Sequence, residues 1–109
     1  MANFQLVVYG ATSFVGQLLT RYLFERHGVN GDLQWAIAGR SQSKLNELRQ
    51  SLGSAAQALP IVLADATDEA ALTAMCQQTK VVVSTVGPYV LYGSTLVKVC
   101  ASTGTDYCD

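Results

Sequence analysis

Five short apolar runs alternate with helix-patterned segments along these 109 residues, which predicts an α/β protein with a doubly wound parallel sheet. The strand runs are near-continuous in apolar residues rather than alternating, as burial on both faces requires. The connections are short, so successive strands are joined by right-handed crossovers. Strand order 3-2-1-4-5 follows. The ligand crevice then lies at the carboxyl ends of strands one and four, where the winding reverses.

Residues 4–9 read as the first strand and 13–27 as the first helix. In that helix Phe14, Val15, Leu18, Leu19, Tyr22 and Leu23 recur at helical spacing and mark one apolar face. Gly28 and Gly31 stop it. Leu33 to Ala38 is the second strand, broken by Gly39. Ser41 or Ser43 caps a helix whose Leu45, Leu48 and Leu52 share a face, ending at Gly53. Pro60 introduces the third strand, Ile61 to Ala64. Thr67 is the expected N-cap of the next helix, with Asp68 and Glu69 in its first turn and Leu72, Met75, Cys76 and Thr79 along its length. Val81 to Val86 is the fourth strand, ended by Gly87 and Pro88. Leu96, Val97, Val99 and Cys100 lie on a helix over 94–102. Gly104 caps its end, and Tyr107 and Cys108 open a fifth strand.

Composition narrows the function classes. The chain is half apolar, 14% charged and of net charge −1, so it has the means to bury a core and no basic block for a nucleic acid. No apolar run approaches the roughly 18 residues of a membrane span, and no charged leader precedes the first strand. Cys76, Cys100 and Cys108 are scattered, without metal-ligand spacing. They read as thiols buried in a reducing cytosol, so a cytoplasmic location and no metal are expected.

The segment from Gly10 to Gly16 carries the chemistry. It joins a strand to a helix through Gly10, Ala11, Thr12, Ser13, Phe14, Val15 and Gly16, a G-x-x-G-x-x-G pattern with Ser13 in the middle place. Strand, tight turn and helix bring backbone N–H groups and the positive end of a helix dipole to one point, which suits a diphosphate. Gly10 makes the sharp turn. Gly16 lets helix and sheet approach closely. Ser13 departs from the pattern, though a small hydroxyl still fits beside a diphosphate.

The end of the second strand bears on which dinucleotide is bound. NAD sites usually place an acid there for the ribose 2′-hydroxyl. This chain instead carries Arg40, Ser41 and Lys44. Arg40 can fork onto a 2′-phosphate, Ser41 can donate a hydroxyl, and Lys44 adds charge one turn on. NADP(H) is therefore expected over NAD(H). Asp65, just past the third strand, either borders the adenine or serves as a turn or cap residue. Val86, Gly87 and Pro88, with Thr85 and Tyr89, are expected near the nicotinamide ribose.

Four blocks now carry a resemblance: Gly10 to Gly16, Trp35 to Ser41, Val86 to Tyr89, and Gly104 to Asp109. In that order they resemble the N-terminal domain of saccharopine dehydrogenase-like oxidoreductases, a group that includes bacterial trans-acting enoyl reductases. The resemblance implies a Rossmann-like NADP(H)-binding domain over 1–109, cut within strand five. It also implies a longer enzyme whose C-terminal substrate domain is missing here.

No proton donor is nominated. None of the five tyrosines has a lysine four residues on, and His27, the single histidine, falls at a helix end away from the crevice. The fragment is expected to bind cofactor without turnover. A non-catalytic dinucleotide-binding redox sensor and an interaction module are the alternatives. The unfinished fifth strand leaves an apolar edge that predicts a homodimer.

Overall fold

The computed structural model describes residues 4–29, 31, 33–65, 67–84 and 94–108. Its elements run β1 (Phe4–Tyr9), α1 (Phe14–His27), β2 (Trp35–Gly39), α2 (Gln42–Ser51), a 3₁₀ turn (Ser54–Ala56), β3 (Ile61–Leu63), α3 (Glu69–Gln77), β4 (Thr79–Ser84), α4 (Ser94–Thr103) and β5 (Asp106–Cys108). The five strands form one parallel sheet in the order β3-β2-β1-β4-β5, as expected from the sequence.

Two cores sandwich the sheet. On one face Leu72, Met75 and Cys76 of α3 and Leu96, Val99 and Cys100 of α4 pack against Val7, Tyr9, Ala36, Ala38 and Val82. On the other, Leu23 of α1 and Leu45 and Leu48 of α2 pack against Val8, Trp35 and Ile37. Every residue of β2 is buried, which is why that strand reads as an unbroken apolar run.

Element ends follow local hydrogen bonding. α1 stops at Gly28, whose φ of 66° is left-handed and whose N–H reaches the Phe24 carbonyl. The Trp35 indole N–H donates to the Gly28 carbonyl at 2.9 Å and ties the start of β2 to that cap. Three expectations are corrected. The cap of α3 is Asp68, not Thr67: its carboxylate accepts from the Ala71 amide at 3.1 Å, while Thr67 turns its amide and hydroxyl back onto Asp65. Thr79 opens β4 instead of continuing α3, because Gln78 already closes the helix and Thr79 pairs in register with Phe4. The second strand begins at Trp35 rather than Leu33.

The largest correction concerns α1. Of the apolar face expected there, only Leu23 is buried and Leu19 partly so, whereas Phe14, Val15, Leu18 and Tyr22 are exposed. The side turned to the sheet carries Gly16, Thr20 and Leu23. Small residues at the first two positions let the helix lie close, and the bulkier ones rotate outward. Cys76 and Cys100 are free buried thiols, as anticipated, with sulfurs 3.5 Å apart.

Candidate functional site

The turn between β1 and α1 is held by its own backbone. Gly10 has φ of 79°, a conformation that glycine alone adopts without a steric cost. The amides of Gly10 and Ala11 both donate to the Ala38 carbonyl, at 2.9 and 3.2 Å, which pins the turn to the end of β2. The Ser13 amide closes back on the Gly10 carbonyl at 3.0 Å. Gly16 faces this turn with no room for a side chain, since a β-carbon there would stand 2.8 Å from the Ala11 Cα and closer still to the Gly10 carbonyl oxygen.

Ser13 fits where relatives of this motif carry glycine because its backbone is extended, at φ −69°, and no left-handed conformation is required. Its hydroxyl is the N-cap of α1 and accepts from the Gly16 amide at 3.0 Å. The Ser13 carbonyl takes the Gln17 amide at 2.8 Å, and the Gln17 side chain donates to the Thr12 carbonyl at 2.8 Å. With these bonds made, the amides of Thr12, Phe14 and Val15 have no partner among the described residues. Three donors without a partner thus gather at the positive end of a 14-residue helix, an arrangement whose electrostatics favour an anion.

Beyond β2, Arg40 is exposed and Ser41 caps α2, its oxygen accepting from the Lys44 amide at 3.3 Å. Lys44 lies in the first turn of that helix. Between α1 and α2 is an open groove of about 370 Å³ whose lining includes Thr12, Gln17, Lys44 and Glu47. The sequence reading missed Gln17 and Glu47. Gln17 was legible only as a helix surface residue, and nothing in the spacing places Glu47 across from the turn.

At the end of β3, Asp65 takes the turn role. One carboxylate oxygen accepts from the Thr67 amide at 2.9 Å and the Thr67 hydroxyl at 2.8 Å. These bonds, amide first, hold its carboxyl below the ordinary range, with a smaller contribution from the Arg40 charge. Tyr9 lies beneath. Its hydroxyl donates to the Ala64 carbonyl at 2.9 Å, and burial, reinforced by Asp65, pushes its pKa up to about 12. The structure thus brings the Gly10–Gly16 turn, Arg40, Ser41, Lys44 and Asp65 to the carboxyl edge of the sheet. Val86, Gly87 and Pro88, with Thr85, Tyr89 and Ala66, lie outside the described residues. Among the described residues no helix is long and apolar enough to cross a membrane.

Residues 6–109 match the family described as the saccharopine dehydrogenase NADP binding domain. The chain belongs to that family. Its cofactor is accordingly NADP(H), in a Rossmann-type domain of an oxidoreductase family. A Mycobacterium tuberculosis protein provisionally named a trans-acting enoyl reductase is 48% identical over 107 residues, which cover 98% of this chain and 25% of that protein. The trans-acting enoyl reductase of Mycobacterium leprae is 44% identical over the same share of each chain. The present chain therefore spans about a quarter of the length of these curated relatives. Among solved structures, apo saccharopine dehydrogenase (L-Glu forming) from Saccharomyces cerevisiae superposes with a TM-score of 0.75 at 25% identity, over 95% of this chain and 21% of that one. An NADPH-dependent quinone oxidoreductase of Escherichia coli, solved with NADPH, shares the fold at a TM-score of 0.72 and 23% identity, over 93% of this chain and 34% of that one.

Proposed function

We propose that this domain seats NADP(H) with the diphosphate against the opening of α1 and the 2′-phosphate between Arg40 and Lys44. The observation that carries the reading is the set of unpartnered amides at Thr12, Phe14 and Val15, framed by a Gly16 contact that leaves no space for a side chain. The remaining turn amides are engaged internally, which leaves these three as the donors that an anion at the helix opening would satisfy.

Arg40 supplies a planar fork for the extra phosphate, and Lys44 adds a point charge from the first turn of α2. The Ser41 oxygen caps that helix and shares a 3.2 Å hydrogen bond with the Ser43 hydroxyl, so when Ser43 donates in that pair the Ser41 proton is left for the phosphate. Asp65 offers its second carboxylate oxygen to the adenine amine while the first holds Thr67. Val86, Gly87 and Pro88 complete the proposal on sequence grounds, beside the nicotinamide ribose.

When bound, the cofactor supplies or accepts a hydride. This chain's own residues orient it and neutralise its charge. In a longer protein of the relatives' length, the remaining part would bring substrate and proton donor to the nicotinamide. The relatives' name supports reduction of an activated carbon–carbon double bond as the class of reaction.

Calorimetric titration of the chain with NADP+ and NAD+ tests the cofactor placement. NADP+ should bind about ten- to hundred-fold tighter, the preference that one charge-assisted contact supplies. Equal affinity for the two would overturn the assignment of Arg40 and Lys44. A denaturation midpoint indifferent to both would overturn the diphosphate corner, because ligand at about 100 times its dissociation constant adds roughly 2.7 kcal/mol.

A further inference from the structure

Two thiols meet on the face of the sheet away from α1, where the cofactor reading has no use for them. Cys76 of α3 and Cys100 of α4 are each 1% exposed, and their sulfurs stand 3.5 Å apart. At that distance no atom fits between them. One buried residue fixes both ends of the pair. The Thr105 amide donates to the Cys100 carbonyl at 2.9 Å, and its hydroxyl donates to the Cys76 carbonyl at 2.7 Å. The two helices are therefore held at a set spacing where they carry the sulfurs. An open hollow of about 580 Å³ at the amino ends of β4 and β5 reaches Cys76; its lining also includes Thr79, Lys80, Thr103 and Thr105.

We propose that Cys76 and Cys100 are a dithiol that a hydroperoxide converts reversibly to a disulfide, a covalent clasp between α3 and α4. Burial admits a small oxidant from the hollow and keeps bulky disulfide reagents out. A disulfide needs about 2.05 Å between sulfurs, so these two must close by about 1.5 Å, a distance that side-chain rotation supplies. The proposal does not rest on the cofactor assignment.

The chemistry follows from the pair. Burial raises both thiols, Cys76 to about 12, and the hydrogen bond between them disfavours the Cys76 thiolate while favouring that of Cys100. Cys100 is therefore the attacking group. Its sulfur takes one peroxide oxygen, the O–O bond breaks, and the other oxygen leaves as water with the thiol proton. Cys76 then attacks the sulfenic sulfur of Cys100. The S–O bond breaks, the S–S bond forms, and the hydroxide leaves with the Cys76 proton as a second water. Two electrons have passed from the sulfurs to the peroxide. The first step is slow, because raised thiols hold their protons near neutral pH. The second is fast, because the resolving sulfur is already in contact, so oxidation stops at the disulfide and does not go on to sulfinic acid.

Hydrogen peroxide treatment of the fully reduced 109-residue chain in native buffer tests the proposal. Peptide mapping without reductant should join the Cys76 peptide to the Cys100 peptide within one chain, with the loss of two hydrogens. Dithiothreitol should restore both thiols. The bond links positions 24 apart and constrains the unfolded chain, so the urea midpoint should rise on oxidation. Cys76→Ala and Cys100→Ala should each abolish that rise. Two thiols that remain titratable after excess peroxide overturn the proposal, as does pairing with Cys108, a link between chains, or sulfinic acid as the product. A disulfide that leaves the midpoint unchanged or lowers it overturns the fit of the clasp to the fold, and a rise that persists in either alanine variant assigns the effect elsewhere and overturns it too.

Discussion

The Tyr9 hydroxyl donates to the Ala64 carbonyl at 2.9 Å, joining the end of β1 to the end of β3 across the intervening strand. Both groups are buried, and the bond fixes the relative height of two loops at the carboxyl edge, one leading into Gly10 and the other into Asp65. A structural tyrosine thus ties together the two loops between which the proposed cofactor site lies. Tyr9→Phe should leave the Ala64 carbonyl without this partner and lower stability by about 1 kcal/mol, with a weaker nucleotide affinity to match. Urea unfolding and calorimetry on the same variant would show whether the two losses go together.

Alkali should unfold the domain in a defined window. Burial raises Tyr9 from 10.0 to about 12 and Cys76 from 9.0 to about 12. Both groups are neutral when protonated, and the folded state holds their protons more tightly. The associated stability is therefore complete below the unfolded pKa values and is lost as pH climbs from about 9 to about 12. Urea midpoints measured under reductant should fall across that range. Cys76→Ala should remove the lower part of the slope, and Tyr9→Phe the upper part.

Gly16→Ala places a methyl group where the Ala11 Cα stands 2.8 Å away and the Gly10 carbonyl is nearer. Backbone on both sides leaves nothing to yield but the helix position. A loss of roughly 1–3 kcal/mol is expected, despite the better helix propensity of alanine. The urea midpoint measures it. A neutral or stabilising result would mean that α1 does not lie as close as described.

Ser13 separates capping from phosphate contact. Its oxygen accepts from the Gly16 amide, so Ser13→Ala should cost about 1 kcal/mol and Ser13→Gly only a few tenths. Nucleotide affinity should change little with Ser13→Gly, because glycine keeps the turn and the three free amides. A large loss of affinity with retained stability would show that the hydroxyl itself touches the anion.

Arg40→Ala should reduce NADP+ affinity by about ten- to hundred-fold and leave NAD+ binding nearly unchanged. Glu47 lines the same groove as Lys44 and Thr12 and opposes a phosphate held there. Glu47→Gln should accordingly tighten NADP+ by a few-fold at low salt, with the gain fading as ionic strength rises. Competitive titration of the two nucleotides reads both effects.

The order of strands, the turn at Gly10 and the closeness demanded by Gly16 were all legible in the residues, because each rests on a local rule. Apolar runs of strand length require two covered faces, a left-handed turn requires glycine, and a helix opening after a strand points its amides at one place. The same rules failed on α1. The spacing of Phe14, Val15, Leu18 and Tyr22 marked an apolar face but could not say which way it turned. Gly16 held the answer, since a helix that approaches the sheet through a glycine must bury Gly16, Thr20 and Leu23 and turn its bulk outward.

What the chain's residues determined by themselves was therefore the architecture and the tight turn that opens α1, both products of short-range sterics and hydrogen bonding. The structure decided which turn amides stay free, how Ser13 and Asp65 spend their oxygens, and that Lys44 and Glu47 of α2 line one groove with Thr12 and Gln17. The bonds of Ser13 and Asp65 are local ones, chosen among several open to such residues. The Ala38 carbonyl that takes the Gly10 and Ala11 amides, and the groove between α1 and α2, instead join segments remote in sequence, which only packing against the sheet brings together.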